Sequence, residues 1–217
     1  MGGEGSGEQA GHEFRGNQWT SGSAEHVAKT RMARAKEVEP AFTSDIKEIA
    51  SSTGGTPKGL DFRLKSESSV LDKIQRDSIE KKISPDAAAE TITDLNRYTI
   101  TYPNDEQWIN NVQTAQNRLK EKGYKVYMDK QKKYFNSNSN YIGYNTVMQK
   151  GKDIVEIQFH TQESYTTKEH LHKIYETFRS PKASKVEKYT AHKKMVKIWQ
   201  AVKATPVKWA ALSGVVI

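Results

Sequence analysis

Residues 153–161 read DIVEIQFHT, a stretch in which apolar and polar side chains alternate. Successive side chains of a β-strand point to opposite faces of the sheet. The alternation therefore predicts a strand with one apolar face that fills a core and one polar face that carries Glu156, Gln158 and His160. From this stretch alone, a solvated face and a face that binds a polyanion with its metal both stay open.

The stretches around this strand predict an α+β fold, a mixed sheet of about five strands flanked by helices. Four further segments are rich in β-branched and aromatic residues and are predicted strands: 60–65 (LDFRLK), 96–102, 124–129 and 141–149. Cap residues and helical spacing predict helices at 24–40, 43–51, 66–82, 84–92, 104–123, 164–179 and 183–203. Pro40 is expected to end the first of these.

The first 23 residues contain seven of the fourteen glycines and show no apolar period. We expect residues 1–23 to be disordered and residues 1–42 together to form a flexible, glycine-rich leader, 43–180 to form the folded domain, and 181–217 to form a basic C-terminal helix and tail. The segment GHEFRGNQWT in the leader resembles short sequences of phage structural proteins and modular toxins, and a plain linker is the alternative interpretation.

Composition excludes several classes of protein. The 217 residues include no cysteine, which excludes a disulfide framework, a thiolate zinc site and a cysteine nucleophile. No apolar run approaches the roughly 20 residues of a membrane span, so we expect a cytoplasmic protein with no membrane partner. The net charge is +8, and most of it lies between Lys168 and Lys203, which predicts a polyanionic partner.

The stretch FRLKSESSVLDK, residues 62–73, places cations on both sides of a predicted helix start. Arg63 and Lys65 would share one face of a short strand, and Ser69 and Lys73 one face of the following helix. Free N–H groups and the helix dipole favour anions at such a position. A phosphate cradle and a plain charged surface are both compatible with this pattern.

Two further stretches carry polar groups that hydrophobic patterning does not explain. In TDLNRYTI, Asp94 stands before a strand and Arg97 just inside it, and Asp94 is either a turn residue or a ligand for Mg²⁺. In NSNSNYIGYN, a polar loop leads to Tyr141 and then to Asn145. A tyrosine at the end of such a loop either packs in the core or stacks on a base.

Taken in order, these stretches resemble the motifs of the RelA/SpoT-type synthetase domain. The matching motifs are R-L-K-x-x-x-S-x-x-x-K, D-L-x-R, Y-x-G-Y-N, V-E-I-Q-F-H-T and E-H-L-H, and the resemblance covers residues 43–180. It implies a nucleotidyltransferase-like fold that transfers pyrophosphate from ATP to a ribose 3′-hydroxyl. The acceptor in most members is GDP or GTP, which gives alarmones, and in a toxic branch it is an adenine nucleotide or the 3′ end of tRNA.

The resemblance also implies an ATP-binding set. In it, Arg63 stacks on the adenine, and Lys65, Ser69 and Lys73 bind the phosphates. Arg97 corresponds to a second adenine-contacting arginine, although the family usually carries that residue five positions after the aspartate rather than three. Three and five have the same strand parity, so Arg97 would keep its face of the strand and move by one pleat.

The remaining implied roles concern the reacting groups and the acceptor. Asp94 and Glu156 match the residues that hold Mg²⁺, and Glu156 also activates the attacking hydroxyl. Gln158 matches a supporting polar residue beside it, and Tyr141 matches the tyrosine that stacks on the acceptor base.

Two departures from the family pattern fall near the acceptor. Asn145 stands where a histidine is usual, and His160 stands where an arginine is usual. Both changes reduce positive charge, which a free GDP or GTP needs more than a tRNA held elsewhere. The basic C-terminal region offers such a site through Lys182, Lys185, Lys193, Lys194 and Lys197, and Val186, Tyr189, Val196 and Trp199 are expected to dock its helix on the domain.

The sequence thus predicts an ATP- and Mg²⁺-dependent pyrophosphokinase that inhibits growth as a toxin. Its partners would be ATP as donor, a guanine or adenine nucleotide or tRNA as acceptor, and a neutralising antitoxin. Two alternatives from other classes stay open: a non-catalytic nucleotide- or RNA-binding relative, and a phage structural module.

Overall fold

The computed structural model of the chain describes residues 21–134 and 140–203. Its helices are α1 (Ser21–Ser52), α2 (Glu67–Lys81), α3 (Pro85–Glu90), α4 (Trp108–Glu121), α5 (Gln162–His170), α6 (His172–Arg179) and α7 (Lys185–Lys203). Its strands are β1 (Thr56–Lys58), β2 (Arg97–Tyr102), β3 (Lys125–Tyr134), β4 (Gly143–Lys150) and β5 (Asp153–Thr161). The predicted α+β class with a five-stranded mixed sheet is confirmed.

The chain divides into two compact units. The first contains Ser66–Ile92 and the chain up to Arg34; the second contains Ala35–Lys65 and the chain from Thr93 onward. In the first unit, α2 packs on α3 through buried apolar residues, and the capping serines Ser66 and Ser84 start these helices as expected. The boundaries of these two units differ from those of the predicted leader, domain and tail, and that division stays a prediction.

The sheet belongs to the second unit and has the strand order β1-β2-β5-β4-β3. Its two central strands, β2 and β5, are parallel, and every other pair of neighbours is antiparallel. A tight turn at Gly151, with φ of 62°, joins β4 to β5 in the hairpin expected from the sequence. Strand β5 therefore lies between two neighbours, β2 and β4.

One face of the sheet is the apolar core that the alternation predicts. Val155, Ile157 and Phe159 are all fully buried there. Helix α4 covers this face and donates from Gln116 Nε2 to the Tyr144 hydroxyl over 2.7 Å. The second half of α1 packs into the same cluster of buried residues. The core behind β5 is thus closed by two helices that precede it in the chain.

The opposite face of the sheet is polar, and its part around Gln158 and His160 is covered. Gln158 is 5 % exposed and His160 is fully buried, because α5 turns back over the strand that carries them. Buried polar groups need hydrogen-bond partners, and Gln158 and His160 find theirs within the protein.

The structure differs from the prediction at Pro40, which does not end a helix. Helix α1 includes both helices predicted at 24–40 and 43–51 and continues through Pro40 to Ser52. A proline inside a helix costs about 3 kcal/mol. Burial of Phe42, Ile46 and Ile49 on the following turns offsets that cost. Residues 1–20 of the expected leader lie outside the described residues.

The predicted strand at LDFRLK is also wrong. Gly59, with φ of 62°, leads into a 3₁₀ turn at Leu60–Phe62, and the first edge strand is β1 instead. Leu64 makes only an isolated bridge to Asn96. The segment thus forms a turn and one bridge rather than a strand, although its apolar and polar residues alternate. Arg63 and Lys65 therefore do not share a strand face.

The apolar side of α7 is only partly the one expected, since Trp199 is buried and Val196 half-buried as predicted. Val186 and Tyr189 are exposed, while Ala191, Met195, Trp199 and Val202 are buried at helical spacing. Within the described residues, no helix is long and apolar enough to cross a membrane.

Replacing Ile157 by alanine should lower the free energy of unfolding by about 2–5 kcal/mol, because it opens a cavity behind the polar face of β5. Denaturant unfolding measures this loss. The matched control is Ile79→Ala, at a side chain that is 51 % exposed, where the change should stay within about 0.5 kcal/mol. Equal effects at both positions would contradict the described core.

Candidate active site

The parallel pairing of β2 and β5 brings polar residues from two distant segments side by side. Arg97 lies opposite Glu156, Thr99 opposite Gln158, and Thr101 opposite His160. Residues in register on neighbouring strands direct their side chains to the same face. The polar face predicted from β5 alone is therefore continued by β2.

Two carboxylates lie near each other at one end of this polar face, close enough for the charge of Asp94 to act on Glu156. Asp94 stands just before β2 and accepts a hydrogen bond and ion pair from Lys65 Nζ at 2.9 Å. Burial raises the pKa of Glu156, and the negative charge of Asp94 raises it further. The Gln158 amide donates to Glu156 Oε1 over 2.6 Å. This hydrogen bond and the positive charges of Arg97 and Lys168 lower the pKa of Glu156.

The backbone holds this end of the site in place. The Glu156 N–H donates to the carbonyl of Asn96 over 2.9 Å, and the Lys65 N–H donates to the carbonyl of Leu95 over 3.0 Å. The loop before β2 is thereby attached both to β5 and to the segment that carries Lys65. The positions of the two carboxylates thus depend on strand pairing, not on loop conformation alone.

The donor set fits the Mg²⁺ ion that the sequence predicts. Two neighbouring carboxylates that disfavour each other's charge are stabilised by a cation between them, and Mg²⁺ prefers oxygen ligands. The described residues contain no group of three or more His, Asp or Glu that could hold a metal. Mg²⁺ in phosphate chemistry commonly uses one or two carboxylates and completes its shell with waters and substrate oxygens, so a pair is sufficient.

Gln158 is the centre of a hydrogen-bond network that includes Lys168, a residue that was not among the predicted site residues. Its Oε1 accepts from Lys168 Nζ over 3.0 Å and from Thr99 Oγ1 over 3.4 Å. Burial, together with the like charge of Arg97, lowers the pKa of Lys168 to about 8. Lys168 counted only as part of the basic C-terminal region, because no local pattern distinguishes an inward lysine on a polar helix.

The three expected acceptor residues form one cluster at the other end of the polar face. The Tyr141 hydroxyl donates to Asn145 Oδ1 over 3.0 Å and lies 2.7 Å from His160 Nε2. The other ring nitrogen of His160 lies 2.9 Å from Ser164 Oγ. A Cβ at Gly143 would come within 2.7 Å of the His160 ring, which explains the glycine of the Y-x-G-Y-N motif.

This acceptor cluster is uncharged and partly covered. Burial lowers the pKa of His160 well below its ordinary value, so the imidazole is neutral near pH 7. Trp199 of α7 packs edge-on against the Tyr141 ring, with 5.9 Å between ring centroids. The tyrosine expected to stack on a base is therefore hydrogen-bonded through its hydroxyl and packed edge-on against aromatic rings of the protein itself.

The expected ATP-binding residues are distributed over both units. Arg63 donates to the Glu39 carboxylate and, over 2.6 Å, to the carbonyl of Leu60. Lys65 and Arg97 lie in the second unit with Asp94, while Ser69 and Lys73 lie on α2 in the first. The contacts of the second unit bring Lys65 and Arg97 to the carboxylate pair; the roles of all these residues in binding ATP stay predictions.

The five lysines expected to bind RNA are all exposed. They are Lys182 and Lys185 near the start of α7, and Lys193, Lys194 and Lys197 along it. Lys193 Nζ lies 4.8 Å from the centre of the exposed Tyr189 ring. The basic surface is thus available to a polyanion, and its role is still a prediction.

Comparison with known proteins bears on the fold. Neither a protein-family model nor a curated protein sequence matches the chain. A solved structure of the small alarmone synthetase 1 from Bacillus subtilis, bound to its product pppGpp, is similar with a TM-score of 0.56 and 16 % identity over 86 % of this chain and 96 % of that one.

Two further solved structures show the same similarity. A GTP pyrophosphokinase family protein from Streptococcus pneumoniae matches with a TM-score of 0.52 and 11 % identity, over 87 % of this chain and 91 % of that one. The small alarmone synthetase 2 from Bacillus subtilis matches with a TM-score of 0.52 and 16 % identity, over 80 % and 95 %. At such identities the likeness is one of fold, and the fold expected from the RelA/SpoT-type motifs is confirmed.

Because His160 resists protonation in the folded state, stability should decrease as the pH falls. Below the ordinary imidazole pKa of about 6.5, the unfolded chain binds a proton that the folded chain does not. The free energy of unfolding should therefore drop between pH 7 and pH 5, by up to about 1.4 kcal/mol per pH unit from this group. Urea unfolding at a series of pH values measures the slope.

His160→Gln should flatten this slope, whereas the control His172→Gln, at an exposed histidine, should leave it as in the wild type. A slope that is the same in wild type and His160→Gln would show that His160 is not held neutral.

Proposed function

We propose that this chain, which has the fold of small alarmone synthetases, is an ATP-dependent pyrophosphokinase that acts on a ribose 3′-hydroxyl. The observation that carries the proposal is the carboxylate pair Asp94 and Glu156 on a polar sheet face, with Lys65 and Arg97 beside it. Phosphoryl-type transfer asks a protein mainly for positioning and charge neutralisation. The cluster contains the groups needed for both.

Glu156 is the general base in this proposal. A base is most effective when its pKa approaches the working pH, and burial moves the pKa of Glu156 in that direction. The Gln158 amide fixes one carboxylate oxygen, which leaves the other to accept the proton of the attacking hydroxyl. The 3′-oxygen then bonds to the β-phosphorus of ATP as the bond to the α-phosphate oxygen breaks, and AMP leaves.

Asp94 and Glu156 would hold Mg²⁺, which when bound offsets negative charge on the transferring group. Lys65 keeps Asp94 in place through its ion pair. Arg97 lies beside Glu156 in register and contributes a positive charge at the same point of the sheet. ATP, with its triphosphate, would be held by these two cations together with the metal ion.

For the acceptor, we propose a nucleotide 3′-hydroxyl whose phosphates are held away from the acceptor cluster, as at the 3′ end of tRNA. His160 is neutral and Asn145 is uncharged, so neither supplies the charge that a free GDP or GTP requires. The exposed lysines of α7 would bind the backbone phosphates of an RNA. Modification of tRNA would stop growth, which makes the protein a toxin that needs a neutralising antitoxin.

The direct test incubates the full chain with Mg²⁺, ATP labelled on its β- and γ-phosphates, and one acceptor at a time. The acceptors are GDP, GTP, ATP and bulk tRNA, and the label is followed by chromatography and gel electrophoresis. Transfer to tRNA supports the whole proposal, and transfer only to a mononucleotide supports the chemistry with a different acceptor. ATP binding without any transfer would indicate a non-catalytic relative.

Glu156→Gln should reduce transfer by about 10²–10⁴-fold, because it removes a base and a metal ligand without changing volume. Asp94→Asn should also lose most activity, and raised Mg²⁺ should restore part of it. Rates with saturating ATP measure both effects. Glu121→Gln, at an exposed position at the end of α4, is the matched control and should keep wild-type activity. Near-normal transfer by Glu156→Gln would exclude the proposed mechanism.

Charge reversal at Lys193 and Lys194 should reduce tRNA modification steeply and leave transfer to mononucleotides unchanged. Each lost phosphate contact should also lower the slope of log affinity against log salt by a little under one unit. Binding of tRNA is measured across a salt series. The control reverses two other exposed lysines, Lys120 and Lys125. If both double variants modify tRNA equally well at physiological salt, the α7 surface does not bind the acceptor.

A further inference from the structure

Helix α5 begins without a loop after β5 and returns over the polar face. Thr161, the last residue of the strand, is the N-cap: its hydroxyl accepts from the Ser164 N–H over 3.1 Å, and Ser164 Oγ accepts from the Thr161 N–H over 3.0 Å. This reciprocal capping box fixes the direction in which the helix leaves the strand.

Two residues of α5 that point toward the sheet each contact one polar residue of β5. Ser164 contacts His160 and, one helical turn later, Lys168 contacts Gln158. Two residues of a strand advance about 6.6 Å, and four residues of a helix advance about 6 Å. The two spacings match closely enough for both contacts to form at once.

These contacts determine the orientation of the Gln158 amide. The Lys168 ammonium can only donate, and it lies 3.0 Å from one end of the amide. Thr99 Oγ1 donates to the same end over 3.4 Å. The carbonyl oxygen must therefore face Lys168 and Thr99, which directs the amide NH₂ toward Glu156 Oε1 at 2.6 Å.

We propose that Lys168 is a positioning residue for Glu156 and acts through the Gln158 amide. This inference rests on the proposed function, since it assigns to Lys168 the task of orienting the base of that reaction. A reversed amide would present its carbonyl oxygen to a carboxylate, which is repulsive, so the orientation decides whether Glu156 is held or displaced.

The surroundings of Lys168 agree with this role. Among the described residues, no carboxylate lies within ion-pair distance of its ammonium, whose other contact is the Tyr165 ring at 5.5 Å. Burying a cation against a neutral amide is unfavourable, as the lowered pKa of Lys168 reflects. A lysine that served only solubility would place its ammonium in water.

A double-mutant cycle tests the inference. Lys168→Met should lower kcat about ten- to a hundred-fold, the range expected when a catalytic group is misplaced by about 1 Å, with little change in the KM for ATP. Lys168→Arg, which keeps a donor, should recover part of the loss. In a Gln158→Met background, Lys168→Met should cause no further loss, because its effect passes through the amide. Lys173→Met, at an exposed lysine, is the matched control.

Losses that multiply in the double variant, or a change confined to KM, would overturn the positioning role while the proposed function stands. Absence of transfer by the wild type with every acceptor would overturn the proposed function and, with it, the catalytic part of the inference. The contact itself is tested without substrate by the ¹⁵N–¹H signals of the Gln158 side chain, assigned through their absence in Gln158→Met. These signals should shift in Lys168→Met and not in Lys173→Met, and identical signals in both would show that the contact does not form.

Discussion

The parallel pairing of β2 with β5 is the constraint on which the rest of the second unit depends. It joins residues almost sixty positions apart, such as Arg97 and Glu156, into one row. Parallel neighbours cannot be joined by a tight turn, and here α4, β3 and β4 lie between them in sequence. A slip of one residue would turn every side chain of β5 to the wrong face, so the apolar core and the polar row must form together or not at all.

The polar row changes in character along β5. At Glu156 it carries carboxylates and cations in close proximity, whereas at His160 it holds a neutral imidazole bound to two hydroxyl groups. Gln158 lies between these ends and contacts both the lysine of α5 and the glutamate. Burying a neutral group costs less free energy than burying a second charge. A neutral amide at the middle of the row therefore separates an ionic end from a non-ionic end of the same strand.

The sequence predicted correctly those elements that depend on interactions between residues close together in the chain. The alternation in β5, the serine caps of α2 and α3, and the α+β class follow from strand periodicity and capping. The resemblance to the RelA/SpoT-type motifs implied linked roles for Asp94 and Glu156, and in the structure the two carboxylates are near enough to interact electrostatically. Their chemical roles are still predictions, because proximity does not measure activity.

What could not be predicted depends on contacts between distant segments. Pro40 signals a helix end by every local rule, but apolar residues on the next turns bury against the sheet and α1 continues. Alternation in β5 cannot tell a wet polar face from one covered by a helix. Lys168 is one lysine among many on a polar helix, and only the path of α5 over β5 gives it an inward position.

The contact between α5 and β5 also makes the spacing of residues along α5 part of the site. One residue inserted between Ser164 and Lys168 would rotate the lysine by about 100° around the helix axis and turn it away from Gln158. The same insertion in the turn at Gly151 would lengthen a hairpin and leave this pairing intact. Related chains can therefore exchange many side chains in α5, but a change in the length of this segment would remove the contact even if every residue type were kept.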